Sequence, residues 1–182
     1  ILSDLGKSKE AEIYYRKAIK LKPNYAEAHY NLGLILIDHG NLQDAELSTR
    51  KAIEIKPDFA EAHSNLGSIL KDLGSLQDAE LSTRKAIEIK PNFAEAHSIL
   101  GSILKDLGNL KEAELATRKA IEIKSDFFQA HVQLGEVLFD LEKWEESSFF
   151  EFNAIRMRTS SRFLKSYRTN AKLIDKTAFL IF

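Results

Sequence analysis

The segment Ala60 to Phe93 reads AEAHSNLGSILKDLGSLQDAELSTRKAIEIKPNF, and the segments on both sides repeat it almost letter for letter. Residues 26–59 match it at 28 of 34 positions, and residues 94–127 match it at 27. A fixed period of this length is typical of repeat proteins, in which each unit buries its apolar face against its neighbours. The period therefore predicts an elongated stack of units.

Each unit carries signals for two helices. A polar residue followed three positions later by Glu or Gln predicts a capping box before the first helix; these pairs are Asn24/Glu27, Asp58/Glu61, Asn92/Glu95 and Asp126/Gln129. Glycine then ends the first helix in a left-handed conformation at Gly40, Gly74 and Gly108. The second helix is predicted to begin at Asn41, Ser75 or Asn109, each followed by an acid at the third position, and to end before Pro57 or Pro91.

The pattern extends in altered form to both sides. The predicted segments of one solenoid domain are a partial repeat, three full repeats, a divergent repeat, and a capping helix with an apolar tail: 1–25, 26–59, 60–93, 94–127, 128–161 and 162–182. In the first segment, Gly6 is expected to separate the end of one helix from a helix over residues 9–22. Because the chain opens within a repeat, we expect a fragment of a longer protein.

The repeats resemble tetratricopeptide repeats at the positions that define this family. Leu66 and Gly67 stand at its Leu-Gly pair, Ala79 and Ala86 at its two alanines, and Pro91 at its closing proline. The resemblance implies an all-α, right-handed α-solenoid of helix-turn-helix repeats. Histidine replaces the usual tryptophan in every repeat, and threonine replaces an aromatic residue of the second helix in three of them, so a smaller core is expected.

Composition excludes several classes of function. The chain has no cysteine, so it forms neither disulfides nor thiolate metal sites, and a cytoplasmic location is expected. No run of residues approaches the roughly 18 apolar residues of a membrane helix. The net charge of -1 combines basic ends with acidic repeats between them. Binding of nucleic acid along the array is not expected, since it requires a continuous basic stripe.

Histidine recurs at the same position of four repeats, at His29, His63, His97 and His131. Equivalent positions of adjacent repeats should lie about 10 Å apart, whereas zinc ligands lie about 2 Å from one ion. We therefore interpret these histidines as packing residues, and His39 as a solvated residue at a helix end. Phosphate-binding loops, nucleophile elbows and HExxH motifs are lacking. No catalytic residue, metal or cofactor is predicted.

The face of the first helix that points away from the second is the predicted binding surface. In the family that the repeats resemble, this face lines a concave groove that binds extended peptides. The predicted contacts are Tyr30, Asn31, Leu34, Ser64, Asn65, Ser68, Lys71, Ser98, Ser102, Lys105 and Gln133. Asn31 and Asn65 are the principal candidates, because an amide offers both a donor and an acceptor to a peptide backbone.

Two groove patterns of related repeats help to judge this surface. Asn31 and Asn65 are similar to the asparagine ladder of O-linked N-acetylglucosamine transferase repeats, which isoleucine and glutamine interrupt in the next two units here. A carboxylate clamp for chaperone C-termini is disfavoured, because glutamates stand in the groove and only Lys71 and Lys105 offer cations. The ladder is the closer likeness.

The sequence thus predicts a noncatalytic scaffold that binds an extended segment of a protein whose identity it does not reveal. Two alternatives stay open. In the first alternative, the chain is an arm that presents substrate to a catalytic domain, such as a transferase, that follows the apolar ending AFLIF. Alternatively, it assembles with itself through its ends or its C-terminal tail.

Overall fold

The computed structural model describes residues 2–160, with side chains over residues 8–151 and at 153. Within residues 2–160 the chain forms nine α-helices and no strand. They are α1 (Leu2–Leu21), α2 (Ala26–Asp38), α3 (Leu42–Ile55), α4 (Ala60–Asp72), α5 (Leu76–Ile89), α6 (Ala94–Asp106), α7 (Leu110–Ile123), α8 (Phe128–Asp140) and α9 (Trp144–Ser160). The predicted all-α solenoid is confirmed, whereas the predicted capping helix and tail lie outside the described residues.

The helices stack in two rows. Each helix packs against the next in the chain, and α4 also contacts α6, as α6 contacts α8. The inner row therefore consists of α2, α4, α6 and α8, and the outer row consists of α1, α3, α5, α7 and α9. Over the described residues, none of these helices has the length and apolar character needed to cross a membrane.

The two helices of a repeat approach closely where small residues meet, as at Gly67 and Ala79. A Cβ atom on Gly67 would overlap Thr83 Oγ1 and lie 3.1 Å from the Ala79 carbonyl oxygen. Thr83 is fully buried, and its hydroxyl donates to the Ala79 carbonyl at 2.8 Å. Thr83, which stands where the family usually has an aromatic residue, therefore leaves no space for a side chain at Gly67.

The predicted capping boxes of the first helices are wrong. The N-cap residues are the aromatic Tyr25, Phe59, Phe93 and Phe127, and none provides a side-chain cap. The reason is packing: Phe59 is buried and lies under Lys56, whose Nζ is 4.7 Å from the ring centroid. The helix begins directly after this anchored ring, so Asp58 precedes the cap and cannot act as one.

The second helices start at the predicted residues, but only one of three makes the predicted cap. Asn41 accepts a hydrogen bond from the Asp44 backbone nitrogen at 3.4 Å, whereas Ser75 and Asn109 make no such bond. The glycines that end the first helices are left-handed, as expected, with φ between 74° and 81°. Glu142 holds the same place in the fourth repeat at φ 60°.

Helix α1 runs without a break through Gly6, so the predicted division of residues 1–25 is also wrong. A glycine inside a helix costs about 1 kcal/mol relative to alanine. The few residues before Gly6 are too short for an independent helix. They therefore extend the helix that follows.

Candidate functional site

The candidate surface is the open face of the inner row. Nine of the eleven predicted contact residues are at least partly exposed there. Leu34 is 36% exposed, and Asn31, Ser68 and Ser102 are partly exposed. Most of the predicted contact residues are therefore accessible to solvent on the inner row.

Ser64 and Ser98 are exceptions, because they are only 2% and 3% exposed. Ser98 donates a hydrogen bond through Oγ to Gln133 Oε1 on the next inner helix. Ser98 therefore packs between neighbouring inner helices, and Ser64 is equally buried. The expectation that they lie on the open face is wrong. The helical periodicity within one repeat does not show which of its side chains the neighbouring repeat buries.

Asn65 lies in the wall of the groove beside Tyr30. Its residue is partly exposed, but Nδ2 is buried and has no hydrogen-bond partner among the described residues. Burial raises the pKa of the Tyr30 hydroxyl, the nearby Asn65 amide opposes this shift as a hydrogen-bonding group, and the Glu61 carboxylate adds to it. The Asn65 amide thus lies close to the Tyr30 hydroxyl, but the two groups do not have the geometry of a hydrogen bond. A buried donor without a partner costs free energy, so the Asn65 Nδ2 group would gain by donating a hydrogen bond to a ligand.

The groove is apolar near α2. The Tyr30 and Phe59 ring centroids are 4.8 Å apart, and Leu34 and the partly exposed Ile37 continue this surface along α2. The equivalent positions on α4 and α6 carry serine and lysine. A ligand along the groove would therefore pass from an apolar surface on α2 to a polar one on α4 and α6.

The two predicted lysines are both bound to acids of the next repeat. Lys71 Nζ lies 3.3 Å from Asp106 Oδ2, and Lys105 Nζ lies 2.7 Å from Glu136 Oε2 and 3.8 Å from Asp140 Oδ2. Burial alone would lower the pKa of Lys105, but the hydrogen bond to Glu136 raises it above the usual value. These bonds occupy the only cations that a carboxylate clamp would use on this face.

Sequence reasoning missed the row of aspartates that ends the inner helices. Aspartate occupies this position in all four repeats, and each side chain is exposed: Asp38, Asp72, Asp106 and Asp140. The occurrence of aspartate at the same position of every repeat was the sequence signal that would have identified this row. Asp38 and Asp72 give this edge of the groove a negative charge, whereas Asp106 and Asp140 lie beside Lys71 and Lys105.

The other edge carries alternating charges. Lys56, Lys90 and Lys124 pair with Glu27, Glu61 and Glu95 at 3.6, 2.9 and 3.5 Å. A hydrogen bond from Lys90 holds the pKa of the Glu61 carboxyl below its usual value. The glutamates that disfavoured a clamp are thus neutralised within their own repeats.

The four repeated histidines bind the turn that precedes their own helix. Nε2 of His29, His63, His97 and His131 lies 2.9 Å from the carbonyl oxygen six residues earlier. A carbonyl only accepts, so Nε2 carries the proton. These contacts give the four histidines a structural role, but only His131 is buried. In the described part of the chain, no cluster of three or more acids or histidines is arranged to hold a metal ion.

His39 is not the solvated residue that the sequence suggested. Its Nε2 lies 2.9 Å from Ser8 Oγ and its Nδ1 lies 3.1 Å from Glu12 Oε2. Serine, histidine and carboxylate follow the order of a hydrolase triad, but Ser8 lies inside α1, where helix hydrogen bonds occupy the backbone N–H groups that an oxyanion hole would need. The contact therefore docks α1 on the end of α2.

Comparison with family models matches most of this architecture to one family. A tetratricopeptide repeat model matches residues 26–59, a second model of that description matches residues 60–93 and 94–127, and a TPR repeat model matches residues 1–40. No curated protein sequence matches the chain.

Solved structures share the fold over most of their length. A crystal structure of MamA has a TM-score of 0.75 at 26% identity, covering 87% of this chain and 92% of that one. MamA from Desulfovibrio magneticus RS-1 has a TM-score of 0.76 at 19% identity, covering 87% and 90%. YrrB, described as a TPR protein with an unusual peptide-binding site, has a TM-score of 0.68 at 22% identity, covering 93% and 87%.

Proposed function

The chain belongs to the tetratricopeptide repeat family, a fold of protein-interaction scaffolds, and on that premise we propose that it binds an extended peptide along the open face of the inner row. The observation that carries this proposal is the buried, unpaired Asn65 amide in the groove wall. A peptide carbonyl would give this amide the partner that it lacks. Asn31, one repeat away, would bind the same peptide at a second point.

Binding would turn the Asn65 amide away from Tyr30 and toward the ligand. Each new hydrogen bond contributes about 1 kcal/mol net, and the relief of an unsatisfied donor adds to this. Backbone recognition of this kind does not demand a particular side chain. Affinity for an extended main chain is therefore its expected consequence.

The edges of the groove indicate which side chains the peptide carries. The apolar surface of Tyr30 and Leu34 suits an apolar residue near α2. The aspartate row suits lysine or arginine, because Asp38 and Asp72 are exposed. We therefore expect an extended ligand that combines an apolar residue with basic ones.

The test is capture of binding partners by the full chain, followed by affinity measurements on the peptide that the captured partner contributes. Asn31→Ala combined with Asn65→Ala should weaken binding by about tenfold or more, since two hydrogen bonds of about 1 kcal/mol each are lost. Helix content should stay unchanged by circular dichroism.

The matched control is Gln43→Ala with Gln77→Ala, which removes two exposed amides from the outer row. This variant should bind as well as the parent. Equal affinity of the asparagine variant and the control would show that the inner face is not the peptide site. A second variant, Asp38→Asn with Asp72→Asn, should weaken a basic peptide only at low salt.

A further inference from the structure

Two lysines of the inner row each bind the aspartate that ends the next inner helix. Lys71 Nζ on α4 lies 3.3 Å from Asp106 Oδ2 on α6, and Lys105 Nζ on α6 lies 3.8 Å from Asp140 Oδ2 on α8. The lysine side chains are only 27% and 28% exposed, so their stems lie against the protein while the ammonium groups reach the acids. The inner row therefore already contains two examples of a lysine bound across a boundary between repeats.

The boundary between α2 and α4 lacks this lysine. The position equivalent to Lys71 and Lys105 is held on α2 by Ile37. Ile37 is partly buried and packs against a cluster that includes Ile69 of α4. It supplies the apolar bulk of a lysine stem but not the charge. Asp72, which is exposed at the end of α4, therefore has no lysine of the preceding inner helix to bind.

The charges at this boundary leave Asp72 uncompensated. Helices α2 and α4 carry four acids and one lysine: Glu27, Asp38, Glu61, Asp72 and Lys71. Glu27 and Glu61 pair with lysines of the opposite edge at 3.6 and 2.9 Å, and Lys71 pairs with Asp106. Within residues 8–151, these pairs account for every charged residue of the two helices except Asp38 and Asp72. A cation supplied by a ligand would complement this charge.

The α2 side of the groove suits the stem of a long cationic side chain. Leu34, which is 36% exposed, and the partly exposed Ile37 lie about one turn apart and form an apolar strip on α2. Lysine and arginine place their methylene groups on apolar surface and keep the charged group in a polar contact. An apolar strip beside the carboxylate of Asp72 therefore favours such a side chain over an acidic or a short one.

The asparagines that would hold the peptide main chain lie on the same face, two turns earlier. Asp72 follows Asn65 by seven residues, which corresponds to about 10.5 Å along one face of α4. Leu34 follows Asn31 by three residues on α2. A main chain held at the two asparagines could therefore direct a long side chain past Leu34 toward Asp72. At the next two boundaries, the protein's own lysines occupy the equivalent place.

We propose that Leu34, Ile37 and Asp72, here called the α2–α4 slot, bind one lysine or arginine side chain of the extended peptide. This inference rests on the proposed function, because the asparagines must hold the peptide main chain. It defines the ligand more closely, as a peptide with one basic residue at a fixed place. Lys71 and Lys105 exclude further basic residues from the equivalent places along the groove.

Ile37→Lys tests the slot directly, because it supplies the missing lysine from the protein itself. Lysine is accommodated at this position in the next two repeats, so the variant should fold, as circular dichroism would check. Ile37→Met is the matched control, with an unbranched apolar side chain and no charge. A displayed library of random short peptides is selected on each full chain. The parent and Ile37→Met should enrich peptides with a basic residue at a constant place, and Ile37→Lys should not.

Affinities then separate the slot from the main-chain contacts. One selected peptide, and the same peptide with glutamine in place of its basic residue, are measured by fluorescence anisotropy at low ionic strength, where exposed charges are least screened. Ile37→Lys and Asp72→Asn should each weaken the basic peptide by about fivefold, the upper range for an exposed ion pair, and leave the glutamine peptide unchanged. Asn31→Ala with Asn65→Ala should weaken both peptides equally.

The outcomes distinguish this inference from the function on which it rests. If the parent chain enriches no peptide, or if the asparagine variant binds as well as the parent, the proposed function fails and the slot fails with it. If the enriched peptides have no constant basic residue, the slot alone is wrong. The same holds if Ile37→Lys weakens the basic and the glutamine peptide equally, or if Ile37→Met weakens binding as much as Ile37→Lys.

Discussion

The third and fourth repeats share one backbone plan but fill it differently. In the third repeat, Gly101 faces Thr117 so closely that a Cβ would overlap the threonine hydroxyl, and the outer cleft beside His97, between α5 and α7, is open. In the fourth, a Cβ on Gly135 would lie 3.0 Å from Glu151 Cγ and 3.6 Å from the Ser147 carbonyl oxygen, and the Phe150 ring lies against His131. The third repeat thus combines the tighter contact between its helices with an open outer cleft, whereas the fourth repeat has a looser contact and a filled cleft.

The largest effect should come from Gly101→Ala. The new methyl would displace Thr117 from its 2.8 Å hydrogen bond to the Ala113 carbonyl. Overpacking of this kind costs about 1–3 kcal/mol and the lost hydrogen bond about 1 kcal/mol, against about 1 kcal/mol gained in helix propensity. We expect a net loss of about 2 kcal/mol in the free energy of unfolding by urea, followed by circular dichroism.

The matched substitution in the fourth repeat is Gly135→Ala. Because Glu151 is an exposed, flexible side chain, it can move aside, so the propensity gain should leave stability unchanged or raised by up to about 1 kcal/mol. In a protein that already carries Thr117→Ala, Gly101→Ala should cost much less stability, because the hydroxyl that the new methyl would displace is gone. If both alanine variants are equally unstable, the difference in packing between the two repeats is not real.

Much of this comparison follows from the sequence, because it depends on local geometry. One glycine leaves space for the close contact between the two helices, and the next adopts the left-handed conformation that ends the first helix. Both requirements arise within a single repeat. By the same logic, Glu142 is a departure at the position that Gly108 holds in the third repeat. Period and local geometry therefore predicted the helix pairs and their turns.

Features that join different repeats were not predicted. The Ser98–Gln133 and Lys71–Asp106 contacts each join residues 35 positions apart. They depend on how one unit is displaced from the next, which the pattern within a unit does not show. The burial of Ser98 and the seat of Phe150 against His131 have the same origin. The helix start after Phe59 was missed because an anchored ring, and not a side-chain cap, defines it.

A middle-sized effect is expected at the turn. Glu142 has a positive φ of 60°, which costs a residue with a side chain about 1–2 kcal/mol. Glu142→Gly should therefore stabilise the fourth repeat by about 1 kcal/mol, and Gly108→Glu should destabilise the third by a similar amount. Trp144, the only tryptophan, reports unfolding of the fourth repeat by fluorescence. No shift in that transition for Glu142→Gly would show that the turn carries no strain.

The smallest effect concerns the ionic contact between the two repeats. Glu114 of α7 binds Arg118 of its own helix at 2.9 Å and Lys143 of the fourth repeat at 2.8 Å. Burial alone would raise the pKa of the Glu114 carboxyl, but these hydrogen bonds lower it below the usual value of 4.5. The third repeat has Asn109 in place of Lys143, so the contact is particular to this boundary.

A carboxyl whose pKa is lower in the folded state stabilises that state above its unfolded pKa, and this contribution is lost as the pH falls through the folded pKa. Stability should therefore decrease below about pH 4.5, and Glu114→Gln should flatten that decrease in urea titrations at successive pH values. The contribution should stay below about 1 kcal/mol, because Arg118 and Lys143 are partly exposed to solvent. Lys143→Asn, which copies the third repeat, should flatten it less, since Arg118 remains. If Glu114→Gln and the parent have the same pH profile, the ionic contact does not contribute to the difference between the two repeats, and packing alone accounts for it.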